Sequence, residues 1–360
     1  MTSLLVPKGS TILVTGANGF VGSHVVEAFL QHGYKVRGTV RALDRLSNLQ
    51  QRWDERFPGS FEGVEIADLT EQGAYTGALD GVSAIVHTAA DVTFANDFDR
   101  VINGAIQSTV SALKAAAAQP SIKRVVITSS YICAAMPQTG RDGSKFDETS
   151  WNDAIGEITN SLPEDHEMRG RFIYMSSKVE SEKAAWKFVQ EHKVRSVANS
   201  RLTARTDQVP LPCQPSFVLN TVLPGFCFGE TFDDEKQRSS TSAITRGVFL
   251  MESNEIAKST PVQAFCSATD VALLHVGAAV LGSIENRRLF GVSDILTWND
   301  ILAILRRLYP ERAMYDDFDE RRKELTEYDT TASLDILRAL GQTGWKSIEE
   351  AIGENVAKYA

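Results

Sequence analysis

Two side chains spaced four residues apart could move a proton. Tyr174 and Lys178 lie in the segment 172–191, which is rich in Ala, Lys and Glu and is predicted to be helical, so both side chains share one face. A nearby ammonium favours the phenolate and lowers the pKa of a phenol from about 10 toward neutrality. We expect Tyr174 to give its proton to a carbonyl oxygen as general acid. The alternative is a surface pair that only lies along the helix.

Ser130 could act on the same carbonyl oxygen. It follows the β-branched run Arg124–Thr128, which is predicted to be a buried strand, and its hydroxyl could donate a second hydrogen bond. Together with Tyr174 and Lys178 it would serve the addition of a hydride to a carbonyl carbon. The three side chains therefore predict a reductase, provided that a hydride donor binds beside them.

A glycine-rich turn near the start of the chain predicts a site for that donor. Gly16, Gly19 and Gly22 follow the strand-like run Thr11–Thr15 and open a helical segment at 20–32. In this context the glycines allow a tight turn, close approach of a pyrophosphate and close packing of helix on strand, and the helix N-terminus binds the phosphates. The alternative is a purely structural turn. The predicted cofactor contacts in the turn are Gly16, Asn18, Gly19, Phe20, Val21 and Gly22.

The end of the second predicted strand, 34–40, indicates which dinucleotide binds. Chains that bind NAD place an acid there, about 20 residues beyond the glycines, for the ribose 2′-hydroxyl. This chain has Arg41 at the strand end, and the nearest acid, Asp44, comes three residues later. We expect Arg37, in the same segment, to add positive charge to this site. A guanidinium pairs well with a 2′-phosphate, so we predict NADPH. Both arginines could instead be ordinary solvated charges at a strand end.

Alternating strand and helix patterns predict the fold that positions these residues. Further strands are predicted at 61–67, 84–88 and 124–128, and helices at 43–57, 73–79 and 98–119. Such alternation implies an α/β fold with a doubly wound parallel sheet, a Rossmann domain, covered on both faces. We expect residues 1–223 to form the NADP-binding domain and 224–360 a smaller substrate lobe interleaved with the last strands, with helices at 244–252, 268–281, 298–308 and 347–358.

Several residues follow predicted strand ends, the edge at which doubly wound sheets bind ligands. Asp68 could accept a hydrogen bond from adenine, although each of these positions could also be simple loop filler. The predicted contacts are Asp68, Leu69, Thr88, Ala89 and Ala90. Candidates for an apolar substrate-pocket wall are Phe94, Tyr131, Met136, Phe226 and Phe228. Asp270 and His275 are more than one helical turn apart, and we expect them to be structural.

Composition argues against several other classes of protein. The chain has 360 residues, 43% of them hydrophobic, and 37 Lys and Arg against 46 Asp and Glu give a net charge of −9. Without a basic block, it is a poor partner for nucleic acid or an anionic membrane. The scattered cysteines contain no CxxC pair, so we predict reduced thiols and no metal site. The longest apolar stretch, 271–281, is too short to span a bilayer, and we expect a cytoplasmic protein.

In this order, Gly16-x-x-Gly19-x-x-Gly22, Ser129-Ser130 and Tyr174-x-x-x-Lys178 resemble the extended short-chain dehydrogenase/reductase family. Within it the chain is most similar to the dihydroflavonol-reductase-like branch and to fungal and yeast NADPH-dependent aldehyde reductases, through segments 15–26, 33–38, 184–188 and 344–350. The resemblance implies a catalytic triad of Ser130, Tyr174 and Lys178, with Lys178 also holding the nicotinamide ribose. It further implies that a loop at 224–228 flanks the nicotinamide. The additional cofactor contacts predicted on this basis are Thr128, Ser129, Tyr174, Lys178, Pro224, Gly225 and Phe226.

One segment departs from the family pattern. Residues 194–214 show neither helical nor strand periodicity, where similar reductases have a short connection. We predict an inserted surface loop, which costs little closure entropy. A translated intron is the competing hypothesis, because Val codons begin with GT, Gln can be CAG, and Leu202-Thr203 can encode CTAAC. Sequencing the mature transcript distinguishes the two.

Two other functions remain open at this point. One is oxidation of a secondary alcohol or sterol 3-hydroxyl, and the other is a sensor that binds NADPH without turnover. A Tyr174→Phe variant separates the sensor from the reductase, because only a reductase would lose its effect. The expected partner is a small-molecule carbonyl substrate, and both a monomer and a homodimer are consistent with the sequence.

Overall fold

The computed structural model describes residues 3–135, 143–203, 217–237, 241–259, 262–318 and 326–360, and for 193–203 it describes the backbone alone. The strands in chain order are β1 (Thr11–Thr15), β2 (Lys35–Val40), β3 (Phe61–Glu65), β4 (Val82–His87), β5 (Arg124–Thr128), β6 (Lys145–Phe146), β7 (Val218–Pro224), β8 (Phe226–Phe228), β9 (Val262–Ser267), β10 (Arg288–Gly291), β11 (Asp294–Thr297) and β12 (Glu327–Tyr328).

The α-helices in chain order are α1 (Phe20–Gln31), α2 (Ser47–Arg56), α3 (Phe98–Ala118), α4 (Ala154–Ser161), α5 (Arg169–Thr203), α6 (Thr241–Phe249), α7 (Glu255–Ser259), α8 (Ala268–Val280), α9 (Trp298–Leu308), α10 (Thr331–Ala339) and α11 (Ile348–Val356). Short 3₁₀ helices lie at Leu43–Leu46, Tyr131–Cys133 and Ala357–Tyr359.

Seven of these strands form one parallel sheet in the order β10-β7-β5-β4-β1-β2-β3. The strands are rich in β-branched residues because both faces of the sheet are covered, as is usual for parallel sheets. The strand order reverses between β1 and β4, so the carboxyl ends of these two strands border the crevice where such sheets bind ligands. The predicted Rossmann fold is confirmed.

Alternate residues of each strand face two separate cores. On one face α1 and α8 pack on side chains such as Ile12 and Val14, and on the other α3 and α5 pack on Leu13. Helix α8 is buried along most of its length, which explains why its sequence is mostly apolar. Among the described residues, no helix is both long and apolar enough to cross a membrane.

Part of the chain after 224 builds a smaller lobe. Strands β8, β9 and β11 form a second sheet, and a third core packs it against α6, α9 and α11. From the same part of the chain, however, β10 joins the main sheet and α8 covers it. The division into domains at 223 stays a prediction.

Two segments differ from the sequence-based expectation. Residues 73–79 form turns and not the predicted helix, because Gly73 and Gly77 adopt φ values of 80° and 77°, in the left-handed region. Helix α5 is longer than predicted and continues to Thr203, so residues 194–203 are helical along the backbone. Residues 204–216 lie outside the described part of the chain, and the inserted loop therefore stays a prediction.

Candidate active site

The glycine-rich turn between β1 and α1 leaves no room for side chains. Gly16 has φ +68°, and a Cβ on it would lie 2.9 Å from the Cα of Ala89, in the loop after β4. A Cβ on Gly22 would overlap the Gly16 carbonyl oxygen and lie 2.8 Å from Thr88 Oγ1. The turn is therefore pressed against the loop that follows the neighbouring strand, at the switch point of the sheet.

The N-terminus of α1 carries no competing acceptor. Gly19 is the N-cap residue and offers no side-chain hydrogen bond, and the first turn contains no acidic residue. The backbone N–H groups of Phe20, Val21 and Gly22 lie in this first turn, where helices leave donors without intrahelical partners. Together with the positive end of the helix dipole, free N–H groups of this kind are suited to binding an anion. Asn18 lies in the same turn, immediately before Gly19.

The loop after β4 is fixed to the end of β1. The Thr88 hydroxyl donates to the Thr15 carbonyl oxygen at 2.5 Å, and the backbone N–H of Ala89 donates to Thr15 Oγ1 at 3.2 Å. Ala90 follows as an exposed residue at the same edge. Thr88, Ala89 and Ala90 thus lie together with the glycine turn, as the sequence predicts.

Asp68 and Leu69 follow β3, at the far side of the same edge. Asp68 is exposed, and its carboxylate accepts 2.8 Å hydrogen bonds from the Thr70 backbone N–H and hydroxyl. These hydrogen bonds hold the pKa of Asp68 below its usual range. The turn that follows β3 thus fixes the orientation of the Asp68 carboxylate. Leu69 is partly buried against the core on the α3 side of the sheet.

The two arginines of the second strand have different roles. Arg41 is exposed immediately after β2, the position at which the sequence predicts a contact with a 2′-phosphate. Arg37 donates to Glu62 Oε2 at 2.7 Å and to the carbonyl oxygens of Ala78 and Asp80 at 2.9 and 3.0 Å. Arg37 is therefore engaged in contacts that connect β2 with β3 and with the turn at 78–80. The expectation that it adds charge to the cofactor site is not supported.

Gln237 contacts the glycine turn and was not identified from the sequence. Its side-chain amide is buried and donates to the carbonyl oxygens of Asn18 and Gly19, each at 3.3 Å, and to Ser23 Oγ at 2.9 Å. Its own oxygen accepts from the Phe232 backbone N–H at 3.1 Å. A loop from the second half of the chain thus clamps the turn. No local motif marks Gln237, because its partners lie more than two hundred positions earlier.

The predicted catalytic residues lie at the carboxyl end of β5 and on the helix that packs beside it. Ser129 and Ser130 follow Thr128, and the Lys178 ammonium donates to the Thr128 carbonyl oxygen at 2.6 Å. Helix α5, which carries Tyr174 and Lys178, also packs against the 3₁₀ turn that begins after Ser130. Burial lowers the pKa of Lys178, whereas the nearby Cys133 and Glu182 oppose that shift.

His275 fixes the hydroxyl of Thr128. The Nδ1 atom of His275 lies 2.7 Å from the Val271 carbonyl oxygen, which can only accept, so Nδ1 carries the proton. Burial lowers the pKa of His275 to about 4, and the ring is neutral at pH 7. Nε2 therefore accepts from the Thr128 hydroxyl at 2.7 Å. Asp270 instead accepts from the Lys346 backbone N–H at 2.8 Å, so it and His275 have separate structural partners.

Tyr174 lies half-buried at the edge of this cluster. Its ring meets the ring of Phe94 edge-on at 5.3 Å, and it packs beside Tyr131 and Cys133. Burial raises the pKa of Tyr174 above its usual range, with further contributions from Cys133 and Cys227. This direction is opposite to the one expected from the Tyr174–Lys178 spacing, because burial is the largest influence on the Tyr174 pKa and the two thiols act in the same direction.

The candidate substrate-facing residues divide into two groups. Phe94 is 43% exposed with φ 52°, and Gly170 is required beside it because a Cβ there would overlap the Phe94 carbonyl oxygen. Phe226 is half-buried after Gly225. Tyr131 and Phe228, in contrast, lie in cores. The Tyr131 hydroxyl donates to Gln263, and the ring of Phe228 stacks on Phe265.

The prediction that Phe228 and Tyr131 line the pocket is therefore not supported, because aromatic residues after a strand end can turn into either core. Met136 lies outside the described residues. Pro224 ends β7 in a buried position, and the Gly225 N–H donates to the Gly291 carbonyl oxygen at 2.9 Å. A Cβ on Gly225 would overlap the backbone of Ala264, so this turn brings β7 against the second sheet.

Comparison with known proteins shows the family of this chain. The family model described as "NAD dependent epimerase/dehydratase family" matches residues 12–204. The chain belongs to this family. The family corresponds to the extended short-chain dehydrogenases/reductases, as predicted from the motifs, and its members depend on a nicotinamide dinucleotide.

Relatives within the epimerase/dehydratase family extend over nearly the whole chain. The chain is 43% identical over 352 residues to aldehyde reductase 2 of Sporidiobolus salmonicolor, covering 98% of this chain and 96% of the relative. It is 30% identical to the ketoreductase nvfG of Aspergillus novofumigatus, covering 99% and 98%. A crystal structure of yeast methylglyoxal/isovaleraldehyde reductase Gre2 complexed with NADPH shares the fold, with a TM-score of 0.76, 23% identity and 97% coverage of each chain.

Proposed function

We propose that this protein reduces aldehydes or ketones to alcohols with NADPH, using Tyr174 as general acid. The observation that carries the proposal is the hydrogen bond from Lys178 to the carbonyl oxygen of Thr128, which connects the helix of Tyr174 with the end of the strand that precedes Ser130. This group lies on the same sheet edge as the glycine turn after β1. The reductase and ketoreductase relatives support the same reaction class.

The residues of the glycine turn fit an extended dinucleotide. Bare backbone at Gly16, Gly19 and Gly22 and the uncapped N-terminus of α1 would hold the pyrophosphate. Arg41 is exposed at the strand end where the 2′-phosphate of NADPH would lie, and no acid takes its place there. Asp68, Leu69, Thr88, Ala89 and Ala90 would line the adenosine side of the crevice.

The proton in this reaction would come from the protein. When bound, NADPH supplies a hydride to the carbonyl carbon. Tyr174 would donate its phenolic proton to the carbonyl oxygen, so that one C–H and one O–H bond form and the product is an alcohol. Because burial raises the pKa of Tyr174, the phenol is protonated at neutral pH and available as a donor. Ser130 would donate a second hydrogen bond, and Lys178 would orient the ribose and stabilise the phenolate left on Tyr174.

The substrate would approach from the side of Phe94 and Phe226. The Phe94 ring is partly exposed and contacts Tyr174, and the Phe226 ring is partly exposed in the 224–228 turn. Two such rings favour an apolar or aromatic carbonyl compound. The lobe formed after residue 224 would complete this pocket.

Turnover by the purified chain tests the proposal. NADPH or NADH is mixed with a panel of aliphatic, aromatic and keto-ester carbonyls, and cofactor consumption is followed together with alcohol formation. We expect turnover with a preference for NADPH. Absence of turnover with both cofactors across the panel, for a chain that is folded, would contradict the reductase assignment. Preference for NADH would contradict the role of Arg41.

A further inference from the structure

A buried ion pair lies one helical turn beyond Lys178. The Glu182 carboxylate accepts from Arg288 Nε at 2.8 Å and from Arg288 Nη2 at 3.2 Å. It also accepts from the hydroxyls of Ser129 at 2.6 Å and Thr221 at 2.8 Å. Glu182 is 1% exposed. One carboxylate thus joins α5 to the strand β7, to β10 and to the residue that follows β5.

Arg288 is equally well satisfied. Its Nη1 atom donates to the carbonyl oxygens of Glu148 and Ser150 at 3.2 and 2.5 Å, and its guanidinium lies 3.9 Å from the centre of the Trp151 ring. Burial opposes ionisation of Glu182, but the charge and hydrogen bonds of Arg288 hold its pKa below the usual range. Both groups are therefore charged, hydrogen-bonded and removed from water.

Stability alone is a weak reason for such a pair. The desolvation of two buried charges can cancel their attraction, and apolar residues of similar volume often serve a core as well. What the pair offers is a defined geometry, because a bidentate guanidinium–carboxylate contact fixes distance and orientation.

That geometry acts on the proposed catalytic residues. Lys178 lies four residues before Glu182, on the same face of α5. Ser129 is the immediate neighbour of Ser130. The Glu182 carboxylate therefore accepts a hydrogen bond from the neighbour of Ser130, and it lies one helical turn after Lys178.

Building on the proposed function, we propose that Glu182, held by Arg288, is a positioning residue. It positions Lys178 against the end of β5, next to Ser130. The contacts with Ser129 and Thr221 fix the position of α5 relative to β5 and β7. The negative charge of the carboxylate also opposes the effect of burial on the pKa of Lys178. Other titratable groups of the described residues that interact with the Lys178 charge are Cys133, His87 and His275.

The Glu182→Gln variant tests this role, because it keeps the shape and removes the charge. We expect kcat to fall about ten- to hundred-fold while the Kd of NADPH stays within about two-fold, since misplaced groups act on the chemical step. We also expect the alkaline limb of the kcat–pH profile to move to lower pH by about one unit, because Lys178 then loses its proton more easily. A residue that only braces the fold would change the melting temperature and leave kcat and the profile of the folded enzyme unchanged.

The neighbouring pair Arg287–Glu148 provides a matched control. Its Nε–Oε2 distance is 2.5 Å, but both side chains are about two-fifths exposed. Glu148→Gln should leave kcat and the pH profile unchanged. If Glu182→Gln does not fold, the double variant Glu182→Met, Arg288→Met replaces the pair with apolar side chains of similar volume. A folded double variant with low kcat supports the inference, and one with the kcat of the parent overturns it.

The outcomes separate this inference from the proposed function. An unmodified enzyme without turnover contradicts the proposed function. An enzyme that reduces carbonyls with NADPH, and whose Glu182→Gln variant keeps its rate and pH profile, leaves the function intact and contradicts the role of Glu182.

Discussion

At the carboxyl edge of the main sheet, the turn after β1 and the end of β5 are built in opposite ways. The turn obtains its shape from missing side chains, since Gly16 and Gly22 lie where any Cβ would collide with neighbouring backbone. The end of β5 obtains its shape from buried polar side chains, among them Lys178, Glu182 and His275. Bare backbone suits close approach of phosphates, whereas placing a proton donor requires fixed charges and hydrogen bonds.

The two regions should therefore fail differently. At the glycine turn, added volume should impair cofactor binding first. At the end of β5, removal of one polar group should impair the chemical step while the cofactor still binds.

The largest effect is expected at the end of β5. Tyr174→Phe removes the proton donor and keeps the ring against Phe94, so we expect kcat to fall about 10²- to 10⁴-fold. The Kd of NADPH, measured by titration, should stay within about two-fold. A variant that keeps most of its turnover would exclude Tyr174 as general acid. A protein whose cellular effect survives the substitution would be a sensor.

Added volume in the glycine turn should have the opposite signature. Gly22→Ala forces a shift of the Gly16 carbonyl or of Thr88, and overpacking of this kind costs about 1–3 kcal/mol. We expect the Kd of NADPH to rise about ten- to hundred-fold, with a smaller change in kcat at saturating cofactor. Gly104→Ala in α3 is the control, because a Cβ there meets nothing within 4 Å. Equal losses in the two variants would refute the steric account.

The two arginines near β2 allow a comparison within one element. Arg41→Ser should reduce the preference for NADPH over NADH about ten- to hundred-fold, because a charged hydrogen bond to the 2′-phosphate is lost. Arg37→Ser should lower the melting temperature through loss of its contacts with Glu62, Ala78 and Asp80, and should leave the preference unchanged. A change of preference in Arg37→Ser alone would reverse the assignment.

Acid should lower the free energy of unfolding, because both regions contain buried neutral histidines. Burial lowers the pKa of His24, beside the turn, and of His87 and His275, near β5, to about 4 from 6.5. The unfolded chain then binds more protons between these values, so stability is complete above pH 6.5 and declines as the pH falls toward 4. The slope is at most about 1.4 kcal/mol per pH unit for each ring.

Denaturant unfolding at pH 7 and pH 5 measures this decline. His275→Asn should make the pH dependence shallower, and so should His24→Gln. Stability that is independent of pH over this interval would contradict the assignment of neutral buried rings.

The smallest effect is expected at the clamp on the glycine turn. Gln237→Met removes the amide that donates to Asn18, Gly19 and Ser23, and the Kd of NADPH should rise a few-fold, about 1 kcal/mol for the lost hydrogen bonds. Gln51→Met is a control, because its amide only contacts Glu55 on the surface. A decrease in kcat without a change in Kd would place Gln237 with the end of β5 instead.

The same contrast explains how much the sequence predicts. The turn could be located because its strand, glycines and helix are contiguous, and the parallel sheet could be predicted from the regular alternation of strands and helices. Glu182–Arg288 could not be found, because 106 positions separate the partners and neither has a local signature. The prediction of a helix at 73–79 was wrong, because helix propensity does not reveal that Gly73 and Gly77 adopt positive φ. Phe228 was misplaced because its orientation depends on tertiary packing against Phe265.

The most direct test of the central claim is transfer of a label. The purified protein is incubated with NADPH deuterated at the hydride position and an aromatic aldehyde, and the alcohol is analysed by mass spectrometry. We predict one deuterium on the carbinol carbon, in equal amount to the cofactor oxidised, and loss of this product with Tyr174→Phe. Absence of deuterated alcohol from a folded protein that binds NADPH would contradict the account.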